Sequence, residues 1–316
     1  MMATREKSRR EAIDGVLLLN KPAGLSSNQA LQRVKRMLNA KKAGHTGSLD
    51  PAATGMLPLC FGEATKVCAF LLNADKTYRV TAKLGVSTDT GDAEGNETGE
   101  KGVPELSRDE WDAILQSFMG PSTQIPPMYS ALKKDGKRLY ELARKGETVE
   151  RAPRPIRVDH IELLEFAGTR LVFRVRCSKG TYIRSMVEDI AAKVGTVAHT
   201  ARLHREAVGD FDASTMLDMS AAEALVEDGG DGLRERLLPP DIALGEFPAV
   251  GVDAAGVEAF RMGKMVAIEE SPERGLARVY GPGGEAEFLG VGELDANGTV
   301  AQKRVFLPGL KKSPNN

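Results

Sequence analysis

The chain has 316 residues, enough for two domains, and its 41% hydrophobic and 28% charged content is that of a folded globular protein. No apolar run approaches the ~20 residues that cross a bilayer, and the start, MMATREKSRREAIDG, lacks the apolar stretch of a secretory signal, so no membrane is expected and a cytoplasmic location is. The formal net charge is −1, but ten acids and two bases fall in residues 210–246 and nine and eight in 247–316, which leaves +8 on residues 1–209, where a polyanionic partner would bind.

Residues 1–9 read as a disordered tail. The run GVLLL at 15–19 predicts a buried strand. The loop NKPAGLSSN follows and offers Ser26 or Ser27 to cap a helix that reaches about residue 40. Its apolar positions Ala30, Leu31, Val34 and Leu38 make one stripe. After a glycine-rich loop, a helix is expected near 63–72. Residues 76–84 (KTYRVTAKL) alternate strictly, with Tyr78, Val80, Ala82 and Leu84 on one face, and predict a half-buried strand. Residues 87–105, acidic and rich in Gly and Thr, are expected to form an exposed loop. A short helix with Trp111, Ile114, Leu115 and Phe118 comes next. Residues 121–157 hold nine bases and four acids from position 133 onward, with helical spacing through Leu139 and Leu142 and prolines at both ends. They read as a flexible basic arm. Strands are expected at 156–166 and 169–177. A helix then runs through Ile183, Met186, Val187, Ile190, Ala191 and Val194 to Gly195, followed by a second such unit ending near Leu203. Pro239 and Pro240 mark the end of the main domain, and residues 247–316 carry short β-rich runs with Gly-rich turns.

The expected class is α+β. A mixed, mainly antiparallel sheet with flanking helices spans 10–246 and carries the insertion 121–157; a small β-barrel spans 247–316. Three cysteines (Cys60, Cys68, Cys177) and four histidines (His45, His160, His199, His204) show no metal-ligand spacing, so no metal is expected.

The chemistry concentrates in residues 44–66, GHTGSLDPAATGMLPLCFGEATK. Ahead of Glu63 this stretch has one acid, Asp50, and Pro51 pushes Asp50 toward extended angles. A carboxylate on a stiff loop beside His45 is suited to nucleophilic work; the plainer alternative is a turn whose Asp caps a helix. Arg184 is a second oddity. It sits in or near a first helical turn, where the helix dipole favours anions, and so points to a specific anionic partner.

The string G-H-T-G-S-L-D-P resembles motif II of the pseudouridine synthases, in the branch that modifies uridine-55 of tRNA, the TruB family. N-K-P-A-G matches motif I, and stretches around Tyr78 (K-T-Y-R-V) and Arg184 follow in the same order. The resemblance covers residues 10–246. The pattern G-P-G-G-x-x-x-F-L-G-V-G near the end resembles a PUA-like RNA-binding barrel.

What the resemblance implies is an isomerase without a cofactor, acting on the T stem-loop of tRNA. Asp50 would be the catalytic residue and Arg184 its partner. Tyr78 would lie against the target uracil and take part in proton transfer, with Tyr182 and Leu203 close by. His45 would fill the gap left by the everted base. Lys21 would support the pocket, and Gly44, Thr46 and Gly47 would belong to the substrate-binding loop. The basic arm would grip the RNA. A long arm and one short C-terminal domain fit a stand-alone bacterial monomer that needs no guide RNA. The residues leave the step open: Asp50 attack at C1′, attack at C6, or a glycal route. They also leave an RNA-binding or tRNA-folding protein that does not depend on catalysis, and a hydrolytic glycosidase. The glycosidase would want a second carboxylate, and the motifs offer none.

Overall fold

The computed structural model describes residues 10–227, 231–268, 274–283 and 287–306. The expected tail, 1–9, lies outside them. In chain order the strands up to residue 218 are β1 (Gly15–Lys21), β2 (Ala43–His45), β3 (Thr54–Phe61), β4 (Lys76–Leu84), β5 (Val86–Thr88), β6 (Glu97–Glu100), β7 (Gly120–Gln124), β8 (Lys133–Lys134), β9 (Lys137–Arg138), β10 (Arg154–Ala167), β11 (Arg170–Cys177), β12 (Ala198–Val208) and β13 (Leu217–Asp218). Nine of these form one sheet in the order β13-β1-β3-β12-β4-β11-β10-β7, with β2 paired to β3. Its pairings are antiparallel except β1 with β13 and β3 with β12.

Helices cover both faces: α1 (Ser27–Met37), α2 (Cys68–Asn73), α3 (Arg108–Gln116), α5 (Ile183–Lys193), α6 (Met219–Glu227) and α7 (Gly232–Glu235); α4 (Leu139–Ala143) instead follows the β8–β9 hairpin. Residues 16–19 of β1 are all apolar because the strand is buried on both sides there. Leu17 and Leu19 pack with α1 and α6, and Val16 and Leu18 pack on the opposite face. Ser26 caps α1 through a reciprocal bond with Gln29. Strand β4 alternates as its sequence predicts: Val80, Ala82 and Leu84 enter the core between the sheet, α3 and α5, where Tyr78 packs against them.

Three stretches differ from expectation. Residues 62–73 are a 3-10 turn (Gly62–Val67) that leads into α2, not one helix. The stretch ending near Leu203 is strand β12, because pairing with β4 overrides a weak helical spacing. Residues 87–105 are not simply exposed. Strands β5 and β6 form a hairpin, and the intervening turn is bonded to β12 through Ala93 N to Thr200 O (3.2 Å) and Thr200 N to Gly91 O (3.0 Å).

The C-terminal part adds β14 (Ala249–Gly251), α8 (Ala254–Arg261), β15 (Val266–Ala267), β16 (Gly275–Tyr280), β17 (Phe288–Leu294) and β18 (Thr299–Val305). These five strands form a separate sheet, β14-β16-β17-β18-β15, curled into a half-barrel. The sequence pattern did not reveal α8. Tyr280, Phe288, Val291 and Phe306 pack onto Val16, Leu18, Met56 and Cys60, so one apolar cluster joins the two sheets.

Candidate active site

Asp50 lies in the loop between β2 and β3, and the segment after β1 ties that loop down. Lys21 is wholly buried. Its Nζ donates to the carbonyls of Pro22 (2.9 Å), Leu25 (2.7 Å) and Pro51 (3.2 Å). Gly24 N also donates to Pro51 O, at 2.9 Å. The Ser27 hydroxyl accepts from Leu49 N (2.7 Å) and donates to Leu49 O (3.0 Å). Residues on both sides of Asp50 are thus fixed, while 45% of its own side chain stays accessible.

The second residue of α5, Arg184, is buried. Its Nη2 lies 3.1 Å from Asp50 Oδ2. It also donates to Thr90 O through Nη1 (2.8 Å) and to Tyr129 O through Nη2 (2.6 Å), and Nη1 lies 3.7 Å from Asp92 Oδ2. A buried guanidinium needs both counter-charge and acceptors, and these four groups supply them. Asp92 is itself held by Thr90 Oγ1 (2.6 Å) and Glu94 N (3.1 Å). A second acid therefore does stand near Asp50, although the two carboxylates share one cation.

Desolvation pushes the Asp50 carboxyl above the ordinary Asp value. Arg184 and Lys21 pull it back, and Asp92 adds to the rise. Pairing alone would have lowered it; loss of water outweighs the pair. Burial draws Lys21 down to about 8.

Tyr78 is half-buried on β4, opposite Val175 of β11 and Arg205 of β12. Leu203, also half-buried, pairs with Val80 one step along. Burial raises the Tyr78 phenol, and the Arg205 charge opposes it. Arg205 is 1% exposed. Its Nε donates to Met56 O (2.7 Å) and its Nη2 to Gly47 O (2.9 Å), which braces both ends of the Asp50 loop. Gly47 (φ +71°) makes room for it, since a Cβ there would meet Arg205 Nη1 at 3.3 Å.

Tyr182 caps α5 and is half-buried; its phenol is raised by burial, with Asp50 adding to the rise. His45, on β2 opposite Leu59, is half-buried with Nδ1 unpartnered among the described residues. Burial and the Arg205 charge hold its ring toward the neutral form. Gly44 sits beside it, opposite Cys60. Thr46 is wholly buried, so its side chain sits within the scaffold and does not line the surface.

Sequence reasoning missed Asp92, Gln124 and Arg205. Arg205 carried a signal: it is two residues from Leu203, so the strand alternation puts a cation on a core-facing position. Asp92 and Gln124 carried none. Of the expected arm, 121–157, residues 121–124 belong to β7 and 154–157 to β10, because both ends pair into the main sheet; residues 125–153 lie between these strands and expose Lys133, Lys134, Lys137 and Arg138 on the β8–β9 hairpin. A cleft of about 610 Å³ lined by residues such as Lys83, Glu100, Phe166 and Thr169 contains none of the site residues.

Residues 35–183 match the TruB family pseudouridylate synthase (N terminal domain). Residues 184–245 match the tRNA pseudouridylate synthase B C-terminal domain, and 248–306 match Pseudouridine synthase II TruB, C-terminal. The tRNA pseudouridine synthase B of Nitrosococcus oceani is 46% identical over 305 residues, covering 96% of this chain and 98% of that protein. The chain belongs to the TruB family of pseudouridine synthases. It is accordingly an isomerase. The same enzyme of Dechloromonas aromatica is 48% identical over 93% of this chain and 95% of its own length. Among solved structures, a chain of a Cbf5-Nop10-Gar1 complex shares the TruB-type fold with a TM-score of 0.72 and 27% identity, covering 93% of this chain and 85% of that one.

Proposed function

We propose that this TruB-family chain converts uridine to pseudouridine in the T arm of tRNA, at position 55, as a cytoplasmic monomer that needs no guide RNA. The observation that carries this reading is the Asp50–Arg184 pair: a carboxylate open to solvent, 3.1 Å from a buried guanidinium that cannot follow the substrate away. The tRNA pseudouridine synthase B relatives, matched over nearly their full length, support tRNA as the substrate.

The isomerisation breaks C1′–N1, turns the base and forms C1′–C5. A proton leaves C5 and N1 gains one, with no net redox change, so the reaction draws on no cofactor. The target uridine is first everted from its stack. In this reading Asp50 acts at the sugar or at C6 and Arg184 holds it in line. Tyr78 lies against the uracil and moves a proton; Leu203 and Tyr182 close the pocket. His45 stacks where the base had been, on the loop formed by Gly44, Thr46 and Gly47, and Lys21 supports that loop. Residues 10–246 form the catalytic unit, 125–153 its RNA-gripping arm, and 247–316 a PUA-like RNA-binding unit.

Purified protein incubated with unmodified tRNA tests this. Pseudouridine should appear at one uridine of the T loop with wild type and not with Asp50→Asn. Tight tRNA binding without conversion, or conversion elsewhere, overturns it.

A further inference from the structure

The stretch that enters the arm grips the start of α5 from two sides. Gln124, the last residue of β7, is 5% exposed. Its side-chain amide lies on the backbone of Tyr182: Oε1 accepts from Tyr182 N at 2.8 Å and Nε2 donates to Tyr182 O at 3.0 Å. One side chain thus makes the two bonds that a neighbouring strand would make. Tyr182 is the cap residue of α5, and its own side chain makes no cap bond. The amide of Gln124 fixes that end instead. Five residues further into the arm, Tyr129 O accepts from the same Arg184 Nη2 that faces Asp50.

We propose that Gln124 is a positioning residue for the isomerisation. It sets the register of α5 so that Arg184 spans Asp50 and the Tyr129 carbonyl, which makes the root of the arm part of the catalytic pair and not only a tether. This rests on the reading of Asp50 as the catalytic carboxylate. Arg184 sits two residues after the clamped backbone, so a shift of Tyr182 carries the guanidinium with it. Displacements near 1 Å at such a site cost on the order of 100-fold in rate.

Two near-isosteric variants test the idea on the full chain with unmodified tRNA. Gln124→Met keeps the volume and loses both bonds. Gln124→Glu keeps the acceptor for Tyr182 N but donates to Tyr182 O only when protonated. Arg154, the register partner on β10, Arg151 of the arm, and Glu188, Asp189 and Lys193 of α5 surround the position. These groups are the same in wild type, so the variant-to-wild-type ratio isolates residue 124. At pH 8 both variants should convert uridine roughly 10- to 100-fold more slowly in single turnover, with tRNA affinity within about twofold because phosphate contacts dominate binding. A wild-type rate for either variant overturns the proposal. Asp50→Asn runs alongside: turnover there sinks the Asp50 reading itself, whereas an inactive Asp50→Asn with a fully active Gln124→Met sinks only the positioning role.

Discussion

Gly55 and Arg205 compete for one space: a Cβ built on Gly55 would lie 2.2 Å from Arg205 O and 2.7 Å from Arg205 N. The two are register partners where β3 meets β12, and Gly55 has φ +101°. The obstruction is backbone, which a rotamer change cannot relieve. Gly55→Ala should therefore destabilise the protein by ~3 kcal/mol or more, read from urea unfolding. A loss below ~1 kcal/mol would show that β3 and β12 separate at little cost.

Arg184 meets Asp50 with one nitrogen while its other contacts hold it to Thr90 and Tyr129. A lysine has one ammonium and cannot span these partners. Arg184→Lys should lower single-turnover conversion by about 100-fold or more, with tRNA affinity within a few fold. Asp50→Asn should remove turnover and also keep binding. Near-normal conversion by Arg184→Lys would take the pair out of the mechanism.

Much of this was legible in the residues. The alternation of 76–84 put Tyr78 on the core face, and the misplaced cation of α5 pointed to an anionic partner that proved to be Asp50. Two of the departures are of one kind. Strand β12 carries a weak helical spacing and the turn holding Asp92 looks merely exposed, because both are defined by pairing with distant residues. Thr200 bonds to Gly91 and Ala93 across more than 100 positions of sequence, and no local period encodes that. Gln124 likewise looks like an ordinary polar residue before a Pro-rich stretch until Tyr182 is folded against it.

Asp50 titrates above the ordinary Asp value, and Asp92 contributes to that rise. If the ionised carboxylate is the active form, conversion is lost as pH falls through its folded value. Asp92→Asn removes a neighbouring negative charge and leaves Arg184 freer for Asp50, so the acid limb of the rate profile should move to lower pH. A limb that stays put or moves upward would break the link between the two carboxylates.

The hairpin of the arm exposes four cations, Lys133, Lys134, Lys137 and Arg138. If each meets a phosphate, replacing all four with Gln should reduce the slope of log affinity against log salt by roughly 3. Direct binding titrations at several salt concentrations read this. An unchanged slope would locate the RNA on another face.

Lys21 answers three carbonyls around the Asp50 loop and is drawn down to about 8 by burial. Lys21→Met leaves Pro22, Leu25 and Pro51 without that donor and should cost ~1–3 kcal/mol at pH 7. The pH dependence follows from the sign of the shift. Below about pH 8 the folded and unfolded chains both hold the proton. Between about 8 and the ordinary lysine value of 10.5 the folded chain has released it and the unfolded chain has not. The unfolded state then binds more protons, so this site's contribution to stability increases with pH. Lys76, also drawn down to about 8, is present in both proteins and cancels in the comparison. The gap between wild type and Lys21→Met in urea unfolding should therefore widen from pH 8 to pH 10. A gap that narrows would mean the folded protein holds the Lys21 proton more tightly than the unfolded chain does, so that the Asp50 charge outweighs burial.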